Sequence, residues 1–157
     1  MMGNKPLLNE KVRSEWVDYN GHMNDAAYAA VFSLAVDELM QVIGLDKKGR
    51  EAHAYTIYTL ETHLSYLMEA KEGEDIRVTY QLLDHDAKRM HVYFVMTGST
   101  EEELAVSEQM LMGINTETGR PDAFPADIRS NVEEIAAHHQ EAETPARAGR
   151  KIGIYKK

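Results

Sequence analysis

Polar and apolar positions change their rhythm several times along this chain, and each change marks an element. Leu7 to Glu15 reads as a short, imperfect strand ending near Trp16. Asp18 to Asn24 has no hydrophobic period, and in its middle stands Asn20-Gly21, a pair that tolerates positive φ and so turns a chain. A helical period then sets in. Tyr28, Val31, Phe32, Ala35, Val36, Leu39, Met40, Val42 and Ile43 fall on it, and Ala26, Ala27, Ala29 and Ala30 fill much of the first half. The spacing predicts a helix from Asp25 to Ile43, capped by Asn24 or Asp25 and stopped at Gly44, a natural C′ residue. Its first half is apolar nearly all round, which predicts burial nearly all round. Something downstream must wrap it.

The segments that follow supply the wrapper. Leu45 to Arg50 is mostly polar and reads as a loop. Tyr55 to Leu67 is rich in Tyr, Thr, Ile and Leu, most of which favour strands. Ile76 to Leu82 alternates cleanly, and Met90 to Met96 alternates with Met90, Val92, Phe94 and Met96 on one face. His85 to Lys88 is the expected hairpin turn between these two. Leu104 to Asn115 reads as a further strand, closed by Gly119-Arg120-Pro121. Pro125 to His139 reads as an amphipathic helix with proline in its first turn and Ile128, Val132, Ile135 and Ala136 on one stripe. The order is strand, long buried helix, four consecutive antiparallel strands, short helix. That is an α+β solution, one helix layered on one antiparallel sheet, and the sheet has to curl to cover so much of the helix. No internal repeat or low-complexity segment interrupts residues 1–157, so a single domain is expected.

Composition narrows the picture. Cysteine is absent, which excludes disulfides and thiolate metal sites and suits a reducing compartment. Residues Met1 to Leu8 hold no signal-like apolar run, and no window approaches the roughly 18 apolar residues of a membrane span. A soluble, cytoplasmic protein with no membrane partner is expected. The formal net charge of −9 repels nucleic acid. The tail from Thr144 onward runs against that charge, with Arg147, Arg150, Lys151, Lys156 and Lys157 and no acidic side chain. It is either a solvated terminus or a surface for an anionic partner. No metal site is expected, because His138 and His139 are adjacent and diverge on a helix, and no HExxH-type spacing occurs.

Candidate chemistry gathers at the predicted helix start. Asp18, Asn20, His22 and Asn24 stand on alternate positions, followed at helical spacing by Tyr28. This D-x-N-x-H-x-N-x-x-x-Y pattern, with the element order, resembles a hotdog-fold acyl-CoA thioesterase of the 4-hydroxybenzoyl-CoA thioesterase-like group, in which a sheet wraps a central helix and two subunits join edge to edge. The stretch is also similar to the one carrying the proposed catalytic residues of plant acyl-ACP thioesterases. Further motifs, Tyr58-Thr59-Leu60-Glu61-Thr62-His63, Lys88-Arg89-Met90-His91 and Ser107-Glu108-Gln109-Met110 among them, resemble the betainyl-CoA thioesterase domain associated with L-carnitine dehydrogenase.

The resemblance implies hydrolysis of a small acyl-CoA, with coenzyme A as part of the substrate, no other cofactor, and a homodimer or dimer of dimers. It implies Asp18 as general base or nucleophile, with Asn20, His22 and Glu61 as further catalytic groups. Each also has a structural alternative: Asp18 as a turn cap, Glu61 as an ion pair or interface contact. The helix N-terminus offers unpaired amides and a positive dipole end to a developing oxyanion, with Gly21 to Asn24, including Met23, as the expected donors. Glu61 and His63 share one face of a strand by period two. Glu61 or Tyr28 can hold a cationic acyl group, since aromatic faces attract quaternary ammonium. Lys88 and Arg89, with Lys71 and the basic tail, can meet the phosphates of coenzyme A. Two rivals are weighed. A hotdog hydratase or dehydratase would carry D-x-N-P-x-H, with one more residue and a proline, where this chain has D-x-N-G-H. A non-catalytic acyl-CoA-binding regulator would need a DNA-binding segment, and nothing before Leu7 can form one.

Overall fold

The computed structural model describes residues 5–155. Residues 1–4, and Lys156 and Lys157 of the basic tail, lie outside them. The elements are β1 (Leu8–Lys11), α1 (Asp25–Val42), α2 (Lys47–His53), β2 (Tyr55–Tyr66), β3 (Asp75–His85), β4 (Arg89–Thr97), β5 (Glu103–Asn115), β6 (Arg120–Pro121) and α3 (Ala126–His139). The first strand is shorter than the pattern suggested, since a single 3-10 turn, Ser14–Trp16, takes the rest of that segment. All strands pair antiparallel in one sheet of order β1-β3-β4-β5-β2, with β6 added to β5. The expected run of four strands is therefore not a simple meander. β2 pairs with β5, the last long strand, and stands at the edge opposite β1, three places from β3.

The sheet curls around α1 as an α+β hotdog fold. Its concave face is supplied by Met90, Val92, Phe94 and Met96 of β4, all essentially inaccessible. Against them pack Val31, Phe32, Ala35, Leu39 and Met40 of α1. Burying side chains of this size contributes about 1.5–3 kcal/mol each, so this layer dominates folding. The expectation that the first half of α1 is buried nearly all round is corrected. Ala26, Ala29, Ala30 and Ser33 are exposed along one stripe, because one sheet covers only part of a helix. Small side chains leave little apolar area exposed there.

α1 ends where the pattern placed its stop, with Gly44 at φ +98°. A Cβ there would also lie 3.0 Å from Ile128 of α3, so the close packing of α3 on the helix end requires glycine twice over. α3 is tied to the same end by Asn131, whose Nδ2 donates to the Ile43 carbonyl at 2.8 Å. The polar linker is not a loop throughout. Asp46 caps a short helix by accepting the Gly49 amide at 2.8 Å, and Leu45 is fully buried. α2 itself buries no residue, which is why no apolar period announced it.

α1 runs from the Tyr66 end of β2 toward its Tyr55 end. Tyr28, near the helix start, packs edge-on against Tyr66 at 5.2 Å, while Gly44 follows the helix at the α3 end. The N-terminus of α1 therefore opens at one end of the curled sheet, beside the connection between β2 and β3.

Candidate active site

Asp18 to Asn24 forms a closed turn in front of α1. The Asp18 amide donates to the His22 carbonyl at 2.9 Å, and the Gly21 amide to the Asp18 carbonyl at 3.0 Å. Gly21 adopts φ +78° with open space where a Cβ would be, so the conformation and not crowding selects glycine. Asp18 Oδ1 accepts the amides of Asn20 at 2.8 Å and His22 at 3.3 Å. One carboxylate oxygen thus holds the turn. The other, Oδ2, has no hydrogen-bond partner among the described residues, and Asp18 is exposed.

Asn24 ties this turn to the helix. Its Oδ1 caps α1 by accepting the Ala27 amide at 2.9 Å, and its Nδ2 donates to the Trp16 carbonyl at 2.8 Å. The second wall of the mouth is the connection after β2. Met23 donates to the Ala70 carbonyl at 2.8 Å, the Glu72 amide donates to the Gly21 carbonyl at 3.2 Å, and His22 bridges Lys71. On this wall Glu69 Oε2 lies 3.0 Å from His22 Nδ1. Glu69 was not expected from the sequence. It stands in a segment without periodicity, 47 positions after His22.

The amides of Gly21 to Asn24 do not face a ligand as expected. They are paired, in order, with the Asp18 carbonyl, Asp18 Oδ1, the Ala70 carbonyl and the Trp16 carbonyl. Two of these donors close the turn and two fasten it to its neighbours. One step further on, the amide of Asp25, the first residue of α1, has no hydrogen-bond partner among the described residues.

The remaining expected residues divide into three groups. Met23 and Tyr28 are buried in the core at the mouth. The Tyr28 hydroxyl donates to the Met68 carbonyl at 3.2 Å and accepts the Ala70 amide at 3.1 Å. Burial pushes its phenol above the ordinary range. The aromatic rings exposed here are Tyr19, in the turn itself, and Tyr66, whose hydroxyl donates to the Asp25 carbonyl at 3.2 Å.

Glu61 and His63 share a face, as period two required, with a bulge between Thr59 and Glu61. That face is the convex one, away from α1, and within one chain it does not meet the turn. There the two residues line a groove of about 240 Å³ with His91, Glu108 and Arg150. Glu108 Oε2 lies 2.7 Å from His91 Nε2, and Oε1 accepts the Gly149 amide at 2.7 Å, which docks the start of the basic tail.

Lys88 and Arg89 stand at the β3–β4 hairpin, the far end of β4 from the mouth, on the order of 27 Å away along the strand. Arg89 is paired with Asp86 at 2.5 Å, and its guanidinium pulls the Asp86 carboxyl down to about 2. Its charge is already matched within the hairpin. Among the described residues no group of three or more His, Asp and Glu side chains is arranged to hold a metal ion.

A carboxylate with a free oxygen, an imidazole steered by a second carboxylate, and a free helix amide can activate water against a carbonyl and receive the resulting charge. Comparison with known proteins gives that arrangement its setting. Residues 12–132 match the model of the thioesterase-like superfamily. The chain is 43% identical over 144 residues to a betainyl-CoA thioesterase of Pseudomonas aeruginosa, covering 91% of each. It is 38% identical over 149 residues to an L-carnitine dehydrogenase/betainyl-CoA thioesterase of Rhizobium meliloti, covering 94% of this chain but spanning 30% of that longer protein. A Staphylococcus aureus protein solved in complex with CoA superposes with a TM-score of 0.89 at 36% identity, covering 94% of each chain. The chain belongs to the thioesterase-like superfamily and is a thioester hydrolase.

Proposed function

We propose that this protein hydrolyses a small cationic acyl-CoA, betainyl-CoA, at the mouth of α1. The observation that carries the proposal is the turn before α1, in which Asp18 keeps Oδ2 free while Oδ1 is fixed by two amides. A water at the mouth has two O–H bonds to offer. One goes to Asp18 Oδ2, the other to His22 Nε2. As the water oxygen attacks the thioester carbonyl carbon, Asp18 takes one proton and the C=O electrons move onto oxygen. The Asp25 amide and the positive end of α1 receive that charge. Collapse of the intermediate breaks the C–S bond. The proton held by Asp18 passes to the departing sulfur, giving the free acid and coenzyme A thiol.

The choice of acyl group rests on the named relatives and on chemistry at the rim. A trimethylammonium group cannot donate a hydrogen bond. It is held by carboxylates and aromatic faces, and Glu72 and the exposed ring of Tyr66 supply both. Two chains joined at the β2 edges complete this reading. In the single chain β2 leaves one edge unpaired and exposes Tyr58, Leu60 and Tyr66.

The test is thiol release from betainyl-CoA, acetyl-CoA and a medium-chain acyl-CoA, run beside an enoyl-CoA hydration assay. Betainyl-CoA is expected to give the highest kcat/KM. Asp18→Asn is expected to lower kcat by about 10²–10⁴-fold with an unchanged melting temperature. Wild-type turnover by that variant would remove Asp18 from the mechanism. Hydration without thiol release would overturn hydrolysis.

A further inference from the structure

His22 is fixed at its backbone by the turn, since its amide donates to Asp18 Oδ1, its carbonyl accepts the Asp18 amide, and it bridges Lys71. Only its ring remains free to rotate. The group that faces the ring is Glu69, with Oε2 3.0 Å from Nδ1. The Glu69 side chain is 72% exposed, and a solvated partner of that kind contributes little to stability. Its backbone is held far more firmly than that exposure suggests. The buried Tyr28 hydroxyl donates to the carbonyl of Met68 and accepts the amide of Ala70, the two residues flanking Glu69. One phenol on α1 therefore clamps the chain on both sides of the carboxylate.

We propose that Glu69 is a positioning residue for His22, held in place by Tyr28. This rests on the helix mouth being the site of hydrolysis. A neutral imidazole carries one N–H and one lone pair. With a carboxylate oxygen against Nδ1, the hydrogen sits on Nδ1 and the lone pair on Nε2. That tautomer is the one able to accept a hydrogen bond from the attacking water. Without Glu69 the ring is free to turn and to adopt the Nε2–H form, which presents a donor to the water. The other charged residues whose backbone adjoins His22, Asp18 in its own turn and Lys71 and Glu72 on the connection after β2, are left in place when Glu69 alone is changed. Tyr28 thereby acts on the chemistry through the chain it clamps, without touching substrate.

The experiment combines NMR with kinetics on the full chain. Histidine labelled with ¹⁵N, measured at alkaline pH, is expected to report the Nδ1–H tautomer for His22, assigned by its loss in His22→Ala. Glu69→Ala is expected to shift that ring toward Nε2–H and to lower kcat about tenfold or more, with KM within about twofold. That loss is part of the 10²–10⁴-fold that a positioned acid–base group contributes. Glu69→Gln keeps an accepting oxygen, so it is expected to retain the tautomer and to lose less activity than Glu69→Ala. Tyr28→Phe, which keeps the ring and removes only the clamp, is expected to move kcat and the tautomer in the same direction as Glu69→Ala. An Nε2–H tautomer in the wild type overturns the proposal. So does wild-type kcat in Glu69→Ala when His22→Ala is inactive. If Asp18→Asn and His22→Ala both turn over at the wild-type rate, hydrolysis at the mouth fails, and the role of Glu69 falls with it.

Discussion

Asn24 is where fold and chemistry are joined by one side chain, so its removal should be legible in both. Asn24→Ala deletes two hydrogen bonds. Oδ1 no longer caps the Ala27 amide, which lay at 2.9 Å, and Nδ2 no longer reaches the Trp16 carbonyl at 2.8 Å. Loss of an N-cap costs about 1 kcal/mol. Loss of the second bond costs about 1 kcal/mol more, since both groups are partly buried. The sum, about 2 kcal/mol, lowers the melting temperature of a chain this size by about 4–8 °C. Asn24→Asp separates the two effects, because it keeps a capping oxygen and loses only the donor. It is expected to lose about half as much, and a carboxylate at a helix N-terminus recovers part of that. The Asn24 amide still donates to Trp16, so the turn stays attached but loosens. Calorimetric melting, with thiol-release kinetics on the same preparations, checks both consequences. kcat is expected to fall in Asn24→Ala more than in Asn24→Asp. Equal melting temperatures for Asn24→Ala and the wild type would refute the idea that this residue couples turn to helix.

Two further outcomes follow from the packing around α3 and β5. Burial, aided by the neighbouring His138, holds His139 below its ordinary value of 6.5, and Nδ1 must stay unprotonated to accept the Leu82 amide at 2.9 Å. A histidine depressed in the folded state binds its proton first in the unfolded chain. Stability is therefore lost as pH falls below about 6.5, with a slope of up to about 1.4 kcal/mol per pH unit. Urea unfolding between pH 7.5 and 5 is expected to show a shallower decline in His139→Gln than in the wild type; parallel curves would rule out this source. Gly113→Ala would set a Cβ 1.5 Å from the Tyr55 hydroxyl oxygen and 2.4 Å from its Cζ. The ring must leave, with its 2.7 Å bond to the Asp122 carbonyl, at a combined cost of about 2–4 kcal/mol. An unchanged urea midpoint for this variant would mean the strand yields more easily than the packing implies.

The sequence carried what repeats and hid what depends on register. The alternation of Met90, Val92, Phe94 and Met96 was readable because the sheet has one packed face, and all four are buried. Gly44 was readable because few other residues end a helix at φ +98°. α2 was hidden because it buries nothing, and the β2–β5 pairing because it is set by contacts roughly 50 residues apart, for which no local pattern exists. The same limit governs the site. Asp18, Asn20, His22 and Asn24 are local, so their gathering at the helix start was visible. Glu69 reaches His22 only once β2 has returned the chain to the mouth, and Tyr28 reads as a ligand residue until its hydroxyl is seen between Met68 and Ala70. Glu61 and His63 were correctly set on one face, but only the register brings His91 and Glu108 beside them on the convex side. The amides make the point most sharply. Four donors at a helix start suggest an oxyanion site, yet Gly21 and His22 spend theirs on Asp18, and Met23 and Asn24 spend theirs on the carbonyls of Ala70 and Trp16. An amide cannot both fix the turn and receive a developing charge. The free donor therefore moves to Asp25, and the turn's part in catalysis becomes holding Asp18 Oδ2 and the His22 ring at fixed positions before it.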